Sequence, residues 1–345
     1  MKVLIVKVSA LGDIIHTLPV LAYLHSVSPE IEVDWLVEEG FASVLDDHPL
    51  LNRVIPLQTK LWRRLPLISM LRELRHFTSR LRQQHYDFVF DLQGNSKSGL
   101  FTLLSRGKKK YGFDRHQVRE WPNLLATRYR VALGSIDHHV ARRALAIVEA
   151  ALPGGTAPPL AGPLSAVPAA QKRVEQQLQQ RDLQRRSLVV LHYGTTWQTK
   201  LWSLDNWCRL ACRLIDDGRL VPLLTWGNDE ELQAATTISK QTAGGAIIWP
   251  RGSLPELVAL LERVDLVVGG DTGPVHIAAA LGTPTVSLFR VTDATRNGPI
   301  GETHRRLQAP LECAGCLLKQ CENDTSCAAS IAVDDVYQAI VELTY

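Results

Sequence analysis

The stretch Gly269–Pro274 combines residue types that bind anions. It reads GGDTGP, between the apolar run VDLVV and the helix-like VHIAAAL, so a strand ends where a helix begins. N–H groups in a helix's first turn have no intrahelical partner, the helix dipole favours negative charge, and glycine lets a ligand approach closely. Asp271, Thr272, Gly273 and His276 therefore predict a phosphate site, most of all for a diphosphate. The alternative is a structural turn, with Asp271 capping the helix and His276 packed.

A similar junction near the amino terminus, KVSALGD, places Asp13 at the start of a helix. A carboxylate there can accept a proton from a substrate hydroxyl. The helix dipole keeps such a carboxylate ionised but also makes it a weaker base. The alternative role for Asp13 is that of an ordinary helix cap.

Two further strand ends carry polar side chains. The sequence HYGTTWQTK places Thr195, Thr196 and Lys200 on a loop, and TWGNDEE ends with Glu230 and Glu231. Lys200 can neutralise a phosphate, and a carboxylate at the second loop can hold the two hydroxyls of a ribose. A surface lysine and an acidic first helical turn are the alternatives.

A basic stretch over residues 60–84 has helical spacing, and a second basic run covers 107–121. The first has apolar residues between its charges, which suits a helix on anionic lipid or a pocket for a phosphorylated acceptor. A solvated helix face is the alternative. The only acidic residue of the stretch is Glu73, against seven basic ones: Lys60, Arg63, Arg64, Arg72, Arg75, Arg80 and Arg82.

The carboxyl-terminal region is rich in cysteine, with Cys313, Cys316, Cys321 and Cys327 separated by two, four and five residues. Four cysteines so close can hold zinc or an iron–sulfur cluster, but these intervals match neither the paired zinc pattern nor a ferredoxin run. We therefore favour reduced thiols and expect no metal. The P-loop and G-x-G-x-x-G patterns are missing, which disfavours NTPases and dehydrogenases.

Alternating strands and helices must position these loops. They predict two α/β units, each with a parallel sheet, and a cleft between them at the carboxyl ends of the strands. We expect a first domain over 1–160 and a linker over 161–175, in a region rich in proline and glycine. A second domain then covers 176–330. A final helix over 331–345 is expected to pack back on the first domain.

Composition agrees with a soluble enzyme of two domains, with 345 residues, 46% hydrophobic and 21% charged. The net charge of +3 argues against a nucleic-acid-coating protein, although residues 1–165 carry 21 basic and 15 acidic side chains. Neither a secretory signal nor a membrane-spanning segment is expected, so we predict a cytoplasmic protein.

Together these stretches resemble glycosyltransferase family 9, the bacterial heptosyltransferases. GDTGPVHIAAALGTPTVSLF is similar to the family's donor-site signature, and KVSALGDIIHTLPVL to its amino-terminal one. VDWLVEEGFASVL, LQGNSKSG and FDRHQVRE look most like its lipopolysaccharide heptosyltransferase I group. One departure is RVTDA at 290–294, where the family usually has Gly-Pro-Thr-Asp; it places Arg290 beside the expected nucleotide.

The resemblance implies a GT-B fold of two Rossmann-like domains. It implies inverting transfer of L-glycero-D-manno-heptose from ADP-heptose to Kdo-lipid A, without a metal or other cofactor. The enzyme would act peripherally at the cytoplasmic face of the inner membrane, with neither nucleic acid nor an obligate protein partner. By position, the resemblance implies three groups of site residues: the general base Asp13; donor contacts at Thr195, Thr196, Lys200, Glu230 or Glu231, Asp271, Thr272, Gly273 and His276; and acceptor contacts at Lys60, Arg63, Arg64 and Arg119.

Other functions remain open at this point. Within the family, these are heptosyltransferase II and other core-sugar transferases. Outside it, they are a nucleotide-binding protein without catalysis and a cysteine-ligated metalloprotein.

Overall fold

The computed structural model describes residues 1–344 and divides the chain into two compact units, Met1–Leu160 and the chain from Ala161 onward. Within the described residues each unit contains one six-stranded sheet, and every strand pairing in both sheets is parallel. The predicted α/β class with two Rossmann-like units is therefore confirmed.

In the first unit, strands and helices largely alternate along the chain. Its strands are β1 (Lys2–Val6), β2 (Glu32–Glu38), β3 (Arg53–Leu57), β4 (Tyr86–Asp91), β5 (Gly107–Phe113) and β6 (Tyr129–Val131). Its helices are α1 (Leu11–Ile15), α2 (Pro19–Val27), α3 (Glu39–Ala42), α4 (Thr59–Trp62), α5 (Leu67–Leu81), α6 (Ser96–Leu104) and α7 (Val140–Ala151). The strand order is β3-β2-β1-β4-β5-β6, so the order reverses between β1 and β4.

The second unit repeats this plan. Its strands are β7 (Leu188–His192), β8 (Val221–Leu224), β9 (Ile247–Ile248), β10 (Leu266–Gly270), β11 (Thr285–Phe289) and β12 (His304–Gln308). Its helices are α8 (Pro168–Gln180), α9 (Leu204–Asp217), α10 (Asp229–Gln241), α11 (Leu254–Arg263), α12 (Gly273–Ala280), α13 (Ala294–Asn297), α14 (Asp324–Ala329) and α15 (Val333–Thr344). The order β12-β11-β10-β7-β8-β9 reverses between β7 and β10.

The central strands are almost entirely apolar because parallel strands are covered on both faces. Val3–Val6 of β1 and Leu266–Val268 of β10 are completely buried. A left-handed glycine, Gly218 with φ 73°, ends α9. In each sheet, the carboxyl ends of the two central strands meet at the reversal of strand order, where open α/β sheets bind ligands.

Two predictions about the domain organisation need correction. The expected linker over 161–175 is helical from Pro168 onward, because Ala170, Val174 and Leu178 lie at helical spacing and are buried. The helix predicted to pack on the first domain is α15, whose Val336 belongs to the same core cluster as Trp207 of α9. The apolar face of α15 therefore belongs to the second unit; Tyr345 lies outside the described residues.

The predicted helix over the basic stretch is divided in two, with α4 and α5 separated by residues 63–66. Pro66 immediately precedes α5, where its fixed φ and missing N–H suit a helix start. None of the helices within residues 1–344 is both long and apolar enough to cross a membrane.

Candidate active site

The reversal point of the second sheet is bridged by an ion pair. Asp271 follows β10, and Lys200 lies in a short 3-10 turn after β7. The Lys200 ammonium donates to the Asp271 carboxylate oxygen Oδ2 at 2.8 Å and to its carbonyl oxygen at 3.1 Å. The other carboxylate oxygen, Oδ1, lies 2.8 Å from Nε2 of His276. Three residues predicted at the donor site are thus in direct contact.

Asp271 is ionised despite its burial. Burial alone raises the pKa of its carboxyl, but the hydrogen bond and charge of His276 and the nearby Lys200 ammonium outweigh that effect and hold the pKa well below its usual range. Since the carboxyl holds no proton, the hydrogen shared with His276 is on Nε2. Asp271 therefore orients Lys200 and His276 and does not act as the helix cap.

The amino terminus of α12 is open. Thr272 occupies the cap position, but its side chain makes no capping hydrogen bond and instead donates to the Gly270 carbonyl at 3.3 Å. Pro274 lies in the first turn and has no N–H to satisfy. The first-turn amides, including that of Gly273, therefore keep their capacity to bind an anion.

The loop after β7 carries Thr195, half-buried, and Thr196, exposed. The Thr195 hydroxyl accepts from the Trp197 N–H at 3.5 Å. The Trp197 ring lies 5.1 Å from the Lys200 ammonium. These contacts bring Thr195 into the same loop structure as Lys200.

The structure separates the two adjacent glutamates. A carboxylate oxygen of Glu231 accepts from the Gly227 N–H at 2.6 Å. The other oxygen lies against Gly194 and leaves no room there for a side chain larger than that of glycine. Glu230 is exposed. Glu231 thus reaches the loop of Thr195 at the carboxyl end of β7, whereas Glu230 makes no comparable contact among the described residues.

Asp13 lies in the first turn of α1, just beyond β1. Its carboxylate is 3.9 Å from the Lys7 ammonium, accepts weakly from the Ala10 N–H at 3.4 Å, and leaves 31% of the side chain exposed. Lys7 is buried and donates to the Leu92 carbonyl at 2.9 Å. The carboxylate therefore combines a cationic neighbour with access for a substrate.

Gln93 holds the loop that leads to Asp13. The side-chain oxygen of this buried residue, just past β4, accepts from the N–H groups of Val8 and Ser9 at 3.0 and 3.1 Å. With the contact between Lys7 and Leu92, it joins the ends of β1 and β4. Sequence reasoning missed Lys7 and Gln93, whose partners lie 84 or 85 positions along the chain.

The predicted acceptor residues Lys60, Arg63, Arg64 and Arg119 are all exposed. Glu38, which ends β2, accepts from the Lys60 backbone N–H at 3.3 Å and so anchors α4. The loop of Arg119 is held through the neighbouring Glu120, whose N–H donates to the Gly94 carbonyl at 3.0 Å. Lys60 and Arg119 are thus tied to the carboxyl ends of β2 and β4, and Arg63 and Arg64 follow α4.

Arg290 connects loops of the second unit, and its guanidinium is bonded to oxygens of those loops. It is buried and donates to the Leu201 carbonyl and to the carbonyl and carboxylate oxygens of Asp324. The position expected beside a nucleotide stays a prediction, and Arg290 is already engaged by these oxygens. It holds the residue that follows Lys200, and no local sequence signal predicted this contact.

The tail cysteines are not gathered into a ligand set. Cys313 and Cys316 are exposed, whereas Cys327 is buried in α14. Across residues 1–344, no three His, Cys, Asp or Glu side chains are grouped so that they could hold a metal ion.

The chain is similar to a known protein family, to a curated relative and to solved structures. The sequence profile of glycosyltransferase family 9 (heptosyltransferase) matches residues 74–326. A curated protein, lipopolysaccharide heptosyltransferase 1 of Pseudomonas aeruginosa strain PAO1, is 38% identical over 328 residues, covering 93% of this chain and 87% of that protein.

Among solved structures, the chain is similar to the Escherichia coli heptosyltransferase WaaC with ADP, at 28% identity and a TM-score of 0.81 over 100% of both chains. The same E. coli protein with ADP-2-deoxy-2-fluoro heptose matches with a TM-score of 0.78, at 28% identity over 99% of both chains.

Proposed function

The chain belongs to glycosyltransferase family 9 and is a glycosyltransferase, and we propose that it transfers L-glycero-D-manno-heptose from ADP-heptose to the Kdo-lipid A inner core. The observation that carries the proposal is the likeness, over nearly the whole chain, to a heptosyltransferase whose structure holds an ADP-heptose analogue. The arrangement around Asp13 and Asp271 supports it. We infer a heptosyltransferase of type I, since the curated relative of highest identity reported above bears that name.

The second unit would hold the donor. An ammonium has three N–H donors and that of Lys200 directs two at Asp271, which leaves one for a diphosphate oxygen. The first-turn amides of α12 add donors, and its dipole favours the charge that grows on ADP as it departs. Glu231, with Thr195 nearby, would accept hydrogen bonds from a ribose. This set stabilises the leaving group through this chain's own residues.

The first unit would supply the base. The Asp13 carboxylate takes the proton of the acceptor hydroxyl. At the same time the hydroxyl oxygen of the acceptor forms a bond to the anomeric carbon. The bond from that carbon to the diphosphate breaks, and ADP leaves from the opposite side, which inverts the configuration. The exposed part of the Asp13 side chain gives the acceptor hydroxyl access to the carboxylate. Proton transfer to a positioned side chain typically raises a reaction rate by a factor of about 10² to 10⁴.

The acceptor would bind through cations of the first unit. Lys60, Arg63, Arg64 and Arg119 are exposed and can pair with the carboxylates and phosphates of Kdo-lipid A. Because that acceptor is a lipid, we place the enzyme peripherally at the cytoplasmic face of the inner membrane. We also propose that the reaction needs neither a metal nor another cofactor.

Calorimetric titration tests the donor assignment. Purified protein is titrated separately with ADP-heptose, ADP, UDP and NAD. We expect binding of ADP-heptose and ADP only; binding of UDP in preference would contradict the heptose donor. The variant Lys200→Met should weaken ADP binding, whereas Lys240→Met, a lysine in the last turn of α10, serves as the matched control.

A transfer assay with two acceptors tests the type. One acceptor is Kdo-lipid A, and the other is Kdo-lipid A that already carries one heptose. A type I enzyme transfers to the first acceptor. Transfer only to the second would favour heptosyltransferase II, and binding of ADP-heptose without transfer to either would favour a nucleotide-binding protein without catalysis. A chelator is included in a parallel reaction, and its addition should leave the rate unchanged.

A further inference from the structure

Helix α5 presents two different faces. Met70, Leu74 and Phe77 pack against the core of the first unit, and Leu81 is buried at the end of the helix. Their spacing of three and four residues defines one stripe on the helix. The rest of the helix surface is therefore available to something other than this core.

The opposite side of α5 combines aliphatic residues with arginines. Ile68, Leu71, Arg72 and Arg75 follow the spacing i, i+3, i+4, i+7 and so share one face. Ile68 is 84% exposed and Leu71 46% exposed. We call these four residues the outer face of α5.

Neighbouring residues extend the same surface. Leu67, the first residue of α5, is 66% exposed, and Leu61 of α4 is 50% exposed. Single exposed leucines are common on soluble proteins, but four large aliphatic side chains exposed within eleven positions form a concentration that usually marks an interaction site.

Within residues 1–344, the arginines of the outer face have no acidic partners. Among the ion pairs that the structure describes in residues 1–344, none involves Arg72 or Arg75. The one acidic residue of α5, Glu73, is only half-exposed and lies off this face. The guanidinium groups can therefore bind an external anion.

We propose that the outer face of α5 docks the enzyme on a bilayer of anionic phospholipid. Aliphatic side chains enter the boundary between headgroups and acyl chains while arginines bind the phosphates beside them. A nucleic acid would use the arginines but would leave Ile68 and Leu71 exposed to water. An acidic protein is a different partner, which the test below separates. Binding to lipid does not depend on whether the protein transfers a sugar. The inference that docking serves to present a lipid acceptor rests on the proposed function.

Sedimentation with vesicles tests this docking. Full-length protein is mixed with vesicles of phosphatidylcholine alone or phosphatidylcholine with phosphatidylglycerol, at low and high salt. We expect binding to the anionic vesicles, weakened by salt. The double variant Arg72→Gln/Arg75→Gln should lower the partition coefficient about 25-fold, since each cation contributes about fivefold. Ile68→Ser/Leu71→Ser should lower it about tenfold through lost apolar burial.

Matched controls alter similar residues elsewhere. Arg185→Gln/Arg186→Gln removes two exposed arginines of the second unit, and Leu317→Ser removes a leucine that is 56% exposed. Both should bind vesicles as the unaltered protein does. Equal binding to neutral and anionic vesicles, or binding unchanged in both α5 double variants, would overturn the proposal; dependence on the arginines but not on Ile68 and Leu71 would also overturn it, in favour of a purely electrostatic partner.

An activity measurement separates this proposal from the proposed function. The α5 variants should transfer slowly to acceptor embedded in vesicles but at the normal rate to acceptor dispersed in detergent. Loss of transfer to both acceptors would contradict docking as the role of this face. If no protein form transfers heptose, the proposed function fails while the vesicle result still decides the docking proposal.

Discussion

At the scale of single residues, the surroundings of each carboxylate decide what it can do. Asp271 has both oxygens engaged, by Lys200 and His276, and serves to orient them. Asp13 has the Lys7 ammonium at 3.9 Å and a side chain that is 31% exposed. Glu231 is turned inward toward Gly194. Three carboxylates are thus suited to different roles: Asp271 orients its neighbours, and we propose that Asp13 accepts a proton and that Glu231 binds a ligand.

Replacing the proposed base should abolish transfer and leave donor binding intact. In Asp13→Asn the side chain keeps its size but loses the basic carboxylate, so kcat should fall about 10³-fold. Calorimetry should give the same affinity for ADP as in the unaltered enzyme. Asp47→Asn is the control, since this exposed aspartate has a φ of 59°, which asparagine tolerates. Near-normal turnover of Asp13→Asn would contradict the assignment.

His192 at the end of β7 should make stability depend on pH. Burial lowers the pKa of its imidazole to about 4, from an ordinary value near 6.5. Between these values the unfolded chain binds a proton that the folded protein does not, so stability falls as pH drops through this window, by about 3 kcal/mol from this residue. Below about pH 4 its contribution should remain constant.

Urea unfolding at a series of pH values from neutral to about pH 4 measures this effect. In His192→Asn the fall in unfolding free energy should be smaller by a similar amount. His116→Gln, which removes an exposed histidine, should follow the unaltered protein. An identical slope in His192→Asn and the unaltered protein would count against a neutral buried imidazole.

At the scale of elements, each sheet is connected across the point where its strand order reverses. In the second sheet the connection is the pair of Lys200 and Asp271, between the loops after β7 and β10. In the first sheet it is made by Lys7 and Gln93, between the loops after β1 and β4. The same topology thus places a polar connection at the strand ends of each unit, beside that unit's candidate site residues.

Gln93 is predicted to position Asp13. In Gln93→Leu the N–H groups of Val8 and Ser9 lose their acceptor, so the loop before Asp13 should move. We expect kcat to fall about tenfold or more, a loss of about 1–3 kcal/mol in stability, and an unchanged KM for ADP-heptose. Gln93→Glu keeps an acceptor oxygen and should recover most of the rate. A purely structural role would lower stability without this selective loss and recovery of kcat.

At the scale of the whole molecule, the two units differ in charge as well as in candidate ligands. Residues 1–165 contain 21 basic and 15 acidic side chains, whereas the remaining 180 contain 17 and 20 by subtraction from the totals of 38 and 35. The basic unit carries the proposed acceptor and lipid surfaces. The second unit has no excess of basic residues, and the hydrogen-bond donors that we propose for an anion lie at Lys200 and at the start of α12.

Hydrogen exchange of the full chain should separate the two ligands. ADP should slow exchange in the loops after β7 and β10 and in the first turn of α12, because binding orders those segments. The loops around Asp13 and Lys60 should respond to acceptor but not to ADP alone. Protection of the Asp13 loop by ADP, equal to that at Lys200, would contradict the assignment of donor to the second unit.

Local patterns were sufficient to predict much of the fold. The strand over 53–57 and the helix over 229–241 depend on neighbouring residues, caps and periodicity. The predicted strand–helix junction at 269–274 is present for the same reason. By contrast, no local pattern predicts β5, because its lysine run has no apolar alternation. It is a strand because it pairs with β4, where Lys109 lies beside Phe88.

By itself, the sequence determined the α/β class, the family resemblance and the chemical types gathered at strand ends, because these depend on short-range patterns. Only the tertiary structure decided that Asp271 orients Lys200, that Glu231 and not Glu230 turns inward, and that Arg290 holds the loop beside Lys200. The physical reason is that most of these contacts join residues far apart in the chain. A side chain's role then depends on which neighbour satisfies its charge, and only the folded chain supplies that neighbour.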